Sequence, residues 1–475
     1  MISRRLSIMP GRYKAYPEYK DSGVEWLGKV SAQWLFSKHK YIARFQKGKN
    51  PTHLLDEQID GTISYLSMDF LRGNSKSSYA KIEKSAYVSK ENQILLIWDG
   101  SNAGEFVKGK FGIVSSTMAA SELISEISEK FYWYVCVCLE PEMRKNATGM
   151  GIPHVNGEEL KNAAIPLPSI FEQNQISNFL DHETGKIDAL IEKQQQLIKL
   201  LQEKRQAVIS HAVTKGLNPA APMKDSGVEW LGQVPAHWSV VALKRLVSIP
   251  IIDGPHESPE KFDEGVPFVS AEAIKNGQID FDKIWGYISE EESARFSKRY
   301  APKKDDILVV KLGATTGAAA IVSTEAKFNI WVPLAAMRLK QQVSPQFVFY
   351  TMKSAQIRDA IQISWTYGTQ QTLGLKTLGN LQIVVPTEKE QKIIVEFLEK
   401  RVPVLDALEY KANEQINFLQ ERRTALISAA VTGKIDVRAW RAPAGSTVYS
   451  VQKAQNSGYE NEMEMPGNGE EVADD

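Results

Sequence analysis

Hydrophobic positions recur at helical spacing in two long stretches of this 475-residue chain. The first stretch carries Ile187, Leu190, Leu197, Leu201 and Val208. The second carries Leu405, Leu408, Ala412, Leu419 and Leu426. Spacings of three, four and seven place such residues on one narrow face of a helix, which is typical of a helix that packs against a partner helix. The pattern predicts two long helices, each with a hydrophobic seam.

Each stretch begins just after a proline, Pro168 or Pro386, and contains a breaker at a matched position, Gly185 or Pro403. Proline suits the first turn of a helix and is costly inside one. We therefore expect two helices in each stretch, the longer one of about 28 residues and roughly 40 Å in length. The seams favour an intramolecular coiled coil between the long helices, and the alternative is that each helix packs on its own domain.

The chain repeats itself. Residues Lys20–Gly28, which read KDSGVEWLG, recur at 224–232, and a second tryptophan follows each copy at Trp34 and Trp238. The helical stretch 168–214 matches 386–432 at 21 of 47 positions without a gap. Between them, a weaker echo relates Gly100 and Gly104 to Gly313 and Gly317. The sequence predicts a tandem repeat of short motif, globular domain and helix.

The regions between motif and helix, 35–167 and 239–385, mix short strand-like runs with turns and helical pieces, which indicates an α+β class. If a pseudo-twofold axis relates the halves, the long helices run antiparallel and separate the globular domains. The expected organisation is an N-terminal motif and first domain (1–167), a central helical spacer (168–217), a linker, repeated motif and second domain (218–385), a C-terminal helical spacer (386–440) and a disordered acidic tail (441–475).

The charge is balanced overall but unevenly spread. The chain has 57 Lys and Arg against 57 Asp and Glu, yet residues 1–50 hold 11 bases and 3 acids, and residues 455–475 hold 7 acids and no base. A uniformly basic nucleic-acid coat is excluded, so a polyanion must be met by local patches. Cys136 and Cys138 are expected to be buried thiols, because two cysteines form neither a disulfide framework nor a four-cysteine zinc site. No membrane span or signal peptide is evident, so a cytoplasmic protein is expected.

No catalytic constellation is apparent. The run Gly104–Phe111 has the spacing of a phosphate-binding loop, but Phe111 stands where a hydroxyl would hold magnesium. No glycine-rich turn marks an S-adenosylmethionine pocket, and the nearest match to a methyltransferase motif that holds a flipped adenine begins at Asn50. Seven histidines lack metal-ligand spacing. We expect neither a metal site nor a catalytic residue.

The KDSGVEWLG motif, its second tryptophan, the helix ending ERRTALISAAVTGKI and the doubled plan resemble the specificity subunit of a type I restriction and modification system. The resemblance covers about residues 14–440, although Lys215-Gly216 stands where the second copy reads Gly433-Lys434. It implies two target recognition domains that each read one half of a bipartite, asymmetric site on double-stranded DNA. It also implies two modification (methyltransferase) subunits and restriction subunits as partners. S-adenosylmethionine, ATP and magnesium are then expected on the partners, and no cofactor on this chain.

Candidate DNA contacts are polar or basic residues near glycine-rich turns and in a basic cluster before one strand of each domain. In the first domain they are Arg72, Lys76, Lys81, Lys84, Lys90, Ser101, Asn102, Asn146 and Thr148. In the second they are Arg295, Lys298, Arg299, Lys303, Lys304, Thr315, Thr316, Tyr367, Thr369, Gln370 and Gln371. Ordinary solvated lysines and simple tight turns remain alternatives.

Two other functional readings remain open. The chain could be a specificity-like region of a self-contained methyltransferase or nuclease, in which case it would act without added subunits. It could also be a coiled-coil tether with no role on DNA, in which case it would not bind a duplex even at low salt.

Half-sites one helical turn apart lie about 34 Å from each other, which is comparable to the length expected of the helical rod.

Overall fold

A computed structural model describes residues 13–147, 151–364 and 372–443. The described chain divides into two compact units, one made of residues up to 193 and from 415 onward, the other of residues 194–414. The boundary between the units falls within both long helices. Each unit is described by itself below.

The first unit contains twelve described strands. They are β1 (Tyr19–Asp21), β2 (Lys29–Ser31), β3 (Leu35–Lys38), β4 (Ala43–Lys47), β5 (Thr62–Leu66), β6 (Ser78–Lys81), β7 (Val88–Ser89), β8 (Ile94–Ile97), β9 (Phe106–Lys108), β10 (Gly112–Val114), β11 (Met118–Leu123) and β12 (Ala164–Leu167). Its helices are α1 (Met68–Leu71), α2 (Glu129–Lys145), α3 (Gly157–Asn162) and the start of α4 (Ile170–Lys215). A 3-10 turn spans His39–Tyr41.

Two four-stranded sheets, β6-β5-β10-β7 and β4-β11-β8-β9, form the body of the first domain. The pair β5 and β10 is parallel, and the other neighbours are antiparallel. The main core lies where β4, β8 and β9 meet α2 and the first turns of α4, with Phe131, Tyr132 and Phe179 fully buried. As expected, Cys136 is buried, whereas Cys138 is half-buried.

The second unit repeats this plan. Its strands are β13 (Met223–Asp225), β14 (Gln233–Pro235), β15 (Ser239–Ala242), β16 (Ile252–Asp253), β17 (Val266–Val269), β18 (Ile274–Lys275), β19 (Gln278–Ile279), β20 (Gly286–Ile288), β21 (Ile307–Val310), β22 (Ala319–Ile321), β23 (Asn329–Ile330), β24 (Leu334–Met337) and β25 (Gln382–Val385). Its helices are α5 (Glu290–Ser297), α6 (Pro345–Met352), α7 (Ala355–Ile363), α8 (Leu375–Asn380) and most of α9 (Glu388–Val431); 3-10 turns span Leu243–Arg245, Ala271–Ala273 and Phe281–Lys283.

The sheet β16-β24-β21-β22 matches β4-β11-β8-β9 strand for strand, and the parallel pair β17 and β23 matches β5 and β10. One edge differs between the domains. In the first domain β7 pairs with β10, whereas in the second domain α5 packs near β23. The α+β class and the tandem repeat predicted from the sequence are confirmed, and the divergence is concentrated in the segment before β8 and β21.

The expectation of a break in each helical stretch is wrong. α4 is continuous through Gly185 and α9 through Pro403, so the helices have 46 and 44 residues. At about 1.5 Å per residue they are about 69 and 66 Å long, well beyond the 40 Å rod expected. A glycine keeps its N–H, and an internal proline costs about 3 kcal/mol. Packing outweighs these costs, because Leu180 and Ile187 on either side of Gly185 lie in one core, and Val402 is buried beside Pro403.

The helices pack antiparallel in both units, as predicted. In the second unit, Gln202 Nε2 donates to Glu409 Oε1 at 2.7 Å, and Arg205 lies 3.3 Å from Asp406. In the first unit, Arg423 Nε donates to Asp188 Oδ1 at 2.8 Å. Rising numbers on α4 therefore meet falling numbers on α9. Since Asp188 matches Asp406 and Arg205 matches Arg423 in the repeat, the two ion pairs are reciprocal copies of each other.

The predicted seam is buried only in part. Ile187, Ala412, Leu419 and Leu426 are buried, and Leu201, Val208 and Leu405 are half-buried. By contrast, Leu190, Leu197 and Leu408 remain 47, 42 and 46% exposed. The start of each helix is also embedded in the domain that precedes it, through Ile176 and Phe179 or Ile394 and Leu398. Both ways of packing that were open from the sequence thus occur in different parts of the helices.

The repeated tryptophan motif has the same structural role in both units. Trp34 and Trp238 are buried, and each Nε1–H donates to a glutamate at the start of a long helix, Glu172 at 3.1 Å or Glu390 at 3.3 Å. The motif lysines, Lys20 and Lys224, donate to the carbonyl oxygens of these tryptophans. The motif therefore joins a β-hairpin (β1–β2 or β13–β14), the tryptophan that follows it and the start of the long helix. We call this set of contacts the clasp.

The mismatch between Lys215-Gly216 and Gly433-Lys434 has a structural explanation. Gly216 and Gly433 both adopt positive φ, 77° and 69°; Gly216 directly follows α4, and Gly433 lies two residues beyond the end of α9. A Cβ on either glycine would lie 3.1 Å from the ring of the nearby tryptophan, Trp238 or Trp34. Glycine is favoured at this point of each unit by backbone conformation and by close packing, and its place shifts by one position between the copies, in which α9 ends two positions earlier than α4.

Candidate nucleic-acid interface

The glycine-rich turn after β8 has a close counterpart after β21. Gly100 and Gly104 have φ of 108° and 94°, and Gly313 and Gly317 have φ of 98° and 93°. Ser101 and Thr315 at the turn tips are exposed, and Asn102 and Thr316 are half-buried. Thr316 Oγ1 donates to the Gly313 carbonyl at 2.7 Å. The turns hold polar side chains at the surface of each domain, as a base-contacting loop requires.

A second segment lies beside each turn. In the first domain the Gly100 N–H donates to the Pro153 carbonyl, and Asp99 forms a β-bridge with His154. In the second domain Leu312 forms a β-bridge with Thr372. Asn146 is half-buried at the C-terminal end of α2. The predicted residues Thr148, Tyr367, Thr369, Gln370 and Gln371 lie outside the described residues.

The basic clusters occupy different elements in the two domains. Arg72 directly follows α1 and Lys81 ends β6, whereas Arg295 lies on α5 and Arg299 lies two residues beyond the end of that helix. All the predicted lysines, Lys76, Lys81, Lys84, Lys90, Lys298, Lys303 and Lys304, are exposed. Arg72 is held by Glu105 at 2.6 Å, together with Arg144, and Arg295 by Glu257 at 2.9 Å. The clusters are thus equivalent in sequence order but not in local structure.

A charged corner that the sequence did not reveal lies at the end of each matching sheet. In the first domain, Lys47 at the end of β4 is 2.5 Å from Asp99, and His154 Nδ1 lies 2.5 Å from the same carboxylate. In the second domain, the residue in register with Lys47 is Asp253, because each lies opposite the matching alanine of the neighbouring strand, Ala119 or Ala335.

Asp253 contacts three basic side chains. Lys311 Nζ lies 2.9 Å from its carboxylate, Arg299 Nη2 2.7 Å and His256 Nε2 3.1 Å. Lys311 is the first residue after β21, whereas Asp99 is the second residue after β8. The lysine and the aspartate thus lie on opposite strands in the two domains: Lys47 ends β4 and Asp99 follows β8, whereas Asp253 ends β16 and Lys311 follows β21. These partners are far apart in the sequence, so no local motif indicates the corner.

Both carboxylates of these corners are held ionised. Burial alone would raise the pKa of Asp99, but the hydrogen bonds and charges of Lys47 and His154 outweigh it, so the pKa is lowered. Burial opposes ionisation of Asp253 in the same way, and Lys311 and His256 outweigh it and lower the pKa. Each corner therefore offers a fixed acceptor beside fixed donors. Such a mixed set can recognise a base-pair edge, which also presents both.

A family model described as the type I restriction modification DNA specificity domain matches the chain twice, over residues 32–200 and 235–417. These matches cover most of the chain. The chain belongs to this family. Each match contains one specificity domain with its two matching sheets, its charged corner and the start of the long helix that follows.

Two curated relatives match this chain along nearly their whole length. The MjaVIII specificity subunit of Methanocaldococcus jannaschii is 28% identical over 416 residues, which is 86% of this chain and 95% of the relative. The EcoBI specificity subunit of Escherichia coli is 22% identical over 434 residues, 90% of this chain and 91% of the relative. A solved structure concerned with complex assembly and conformational transition of the type I R-M system shares the fold, with a TM-score of 0.61, 16% identity and coverage of 85% and 98%.

Among the residues that the structure describes, no group of three or more His, Cys, Asp or Glu side chains could hold a metal ion. In the same residues, no helix is long and apolar enough to cross a membrane. The two specificity domains present exposed lysines, and mixed donors and acceptors at the charged corners.

Proposed function

We propose that this chain is the DNA sequence-recognition subunit of a type I restriction and modification complex. Each specificity domain reads one half of a bipartite, asymmetric site on double-stranded DNA, and the chain itself carries out no catalysis. The observation that carries this proposal is the double family match on two domains of one frame, whose charged corners differ. A protein that recognises two different DNA half-sites needs a common scaffold with different recognition surfaces.

The partners follow from the same proposal. Two modification subunits would supply S-adenosylmethionine and methyl transfer to adenine, and restriction subunits would use ATP and magnesium to translocate and cut. The exposed apolar residues of the long helices support docking of the modification subunits there, because Leu190, Leu197 and Leu408 are each exposed and a partner helix can cover such residues. With a neutral overall charge, the isolated chain should bind DNA modestly and with a steep salt dependence.

The test is to express the chain with the modification subunits of its own system in a methylation-free bacterial host and to map methylated adenines across the genome. We expect one bipartite motif with a fixed spacer. Methyl transfer by the purified chain alone would contradict the non-catalytic role. Absence of duplex binding at low salt, with and without the partners, would favour a tether without a role on DNA.

We further propose that the two long helices set the spacer between the half-sites. Deleting seven residues from each helix between its aspartate and its arginine, 192–198 and 410–416, retains Asp188, Arg423, Asp406 and Arg205 and shortens both helices equally. We expect a shorter spacer with both half-site words unchanged. The matched control, deletion from one helix alone, takes the reciprocal ion pairs out of register and should abolish modification. An unchanged spacer in the double deletion would contradict the role as a ruler.

A further inference from the structure

A cleft of about 400 Å³ opens beside the charged corner of the second specificity domain. Its lining includes Asp253, His256, Arg295, Phe296, Arg299 and Asn329. Its floor is tightly built: Gly254 packs so closely on β23 that a Cβ there would overlap the Ile330 carbonyl oxygen. Gly48 packs in the same way on the Val114 carbonyl of the first domain. The cleft is therefore framed by backbone that both domains share.

The charged side chains at the cleft supply both hydrogen-bond donors and acceptors, and some of them are buried while others are exposed. Asp253 is 5% and Lys311 10% exposed, so this pair is a fixed inner layer. Arg299 uses Nη2 to bind Asp253, and 53% of its side chain is exposed, as is 68% of His256. Because a guanidinium carries five N–H donors, Arg299 retains donors for a ligand while Asp253 fixes its orientation.

Asn329 supplies an independent sign that the cleft takes a ligand. This side chain is 1% exposed, and its Nδ2 donates to Ser297 Oγ at 3.1 Å. Its Oδ1 is buried and has no hydrogen-bond partner among the described residues. Buried polar atoms are nearly always paired, so an unpaired acceptor on the lining of a cleft indicates that a donor, directly or through a bridging water, completes it.

The chemistry of the set distinguishes between two parts of a nucleic acid. A phosphate accepts hydrogen bonds only, so a carboxylate and an unpaired amide oxygen in its site would be unfavourable. A base-pair edge presents acceptors, such as the O6 and N7 of guanine, beside amino donors of adenine or cytosine. The acidic members of the cleft therefore favour a base edge, with Arg299 as donor.

We propose that this cleft is a base-reading site of the second specificity domain, in which Arg299, oriented by Asp253, is a specificity-determining residue. The proposal rests on the proposed function and deepens it. In the first domain the register-matched position holds Lys47 instead of Asp253, and the carboxylate, Asp99, follows β8, so the corner arranges its donors and acceptor differently and reads a different base. This rearrangement of charged side chains is the physical means by which one scaffold recognises two different half-sites.

The experiment uses the full chain with its modification subunits and maps the methylated motif for Arg299→Lys and Arg299→Ala. Arg299→Lys keeps the charge but removes the planar fork. We expect both variants to lose about tenfold discrimination at one base position in one half-site, with the other half-site unchanged. Duplexes with each of the four bases at that position then give the discrimination directly.

Arg358→Lys is the matched control, because Arg358 is exposed on α7 outside the cleft and receives the same substitution. This control should keep the wild-type motif. Asp253→Asn, which leaves Arg299 without its ionic partner, should relax the same base position as Arg299→Lys. Thermal unfolding of each variant establishes that it folds, and His256→Gln provides a variant of an exposed cleft residue should the buried substitution fail to fold.

An unchanged motif in both Arg299 variants would overturn the proposal, as would a uniform loss of binding at every position, which is the signature of a phosphate contact. Either result leaves the proposed function standing as long as the wild-type complex methylates a bipartite motif. Failure of the wild-type complex to do so would instead contradict the proposed function itself.

Discussion

His39 of the first specificity domain and Leu243 of the second occupy equivalent positions, and both are buried. The backbone around them is the same, because His39 N–H donates to the Ala163 carbonyl and Leu243 N–H to the matching Leu381 carbonyl. His39 Nε2 lies 2.7 Å from the Tyr132 hydroxyl. A polar pair inside one domain thus corresponds to an apolar residue in the other.

The position that matches Tyr132 supports this reading. Ser128 N–H donates to Gln173 Oε1, and Ser344 N–H donates to Gln391 Oε1, both at 2.8 Å, so α2 and α6 begin at equivalent places. Four residues on, Tyr132 of the first domain matches Val348 of the second, and both are buried. The two domains share these hydrogen bonds, whereas His39 and Tyr132 of the first domain are both replaced in the second, by Leu243 and Val348.

The largest effect is expected where the domains are most alike. Trp34→Ala and Trp238→Ala each remove a buried indole and leave a glutamate without its donor, so each should destabilise its own unit by about 3–5 kcal/mol. Hydrogen exchange followed by mass spectrometry, which reports the two units separately, measures both losses. Losses that differ by more than about 2 kcal/mol would show that the clasp is not equivalent in the two units.

The next largest effect is expected at two matched glycines, where substitution by alanine should lower the free energy of unfolding by different amounts. Gly104 and Gly317 share a left-handed φ, but a Cβ at Gly104 would lie 2.7 Å from the Arg144 backbone nitrogen, whereas one at Gly317 would lie 3.5 Å from Ile361 side-chain carbons. Gly104→Ala should cost about 3 kcal/mol, from strain and overlap together, and Gly317→Ala about 1–2 kcal/mol from strain alone. Urea unfolding of the two variants gives the difference. Equal costs would mean that the overlap is relieved elsewhere.

The buried histidine should make the first unit sensitive to acid. Burial lowers the pKa of His39 to about 4, although a backbone hydrogen bond to Leu160 opposes the shift. Because the unfolded chain titrates near 6.5, its stabilisation is complete above about pH 6.5 and is lost as the pH falls toward 4, by about 2 kcal/mol at pH 5.

His39→Leu, which copies the residue of the second domain, should remove this part of the pH dependence. The measurement is the free energy of unfolding at pH 7 and pH 5 for the wild type and the variant, with Leu243→Ala as a control that changes stability without changing its slope with pH. An undiminished slope in His39→Leu would assign the acid sensitivity to other groups.

The reciprocal ion pairs should give the smallest effect. Arg423 and Asp188 form the shorter pair, 2.8 Å against 3.3 Å for Arg205 and Asp406, and Asp406 is the more exposed aspartate. Double-mutant cycles to alanine should give a coupling of about 1 kcal/mol or less for the first pair and about 0.3 kcal/mol for the second, each reduced further by salt. A larger coupling for Arg205 and Asp406 would reverse the order.

The repeat made much of this fold predictable. Fixed offsets relate Trp34 to Trp238 and Gly104 to Gly317, and these pairs have equivalent places in the structure. The continuity of α4 through Gly185 was not predictable, because local propensity does not report the core that Leu180 and Ile187 share. The corner of Lys47 and Asp99 was also hidden, since 51 residues of chain separate two partners that only sheet topology brings together.

The candidate site was predicted in outline for a related reason. Turn glycines and runs of lysine are local signals, so the turns after β8 and β21 were found. Arg299 was found as one member of a basic cluster, but its role depends on Asp253, which belongs to another strand. A charged residue read alone suggests a phosphate contact, and its partner is what changes that interpretation.

The reciprocal ion pairs have a consequence for ancestry. One helix carries both members of the pair, Asp188 and Arg205 on α4, so two copies of that single helix laid antiparallel would satisfy each other. Such a surface is self-complementary, as in a symmetric homodimer. Two copies of one protomer joined in a single chain would show this arrangement, with the ion pairs kept while other residues diverged.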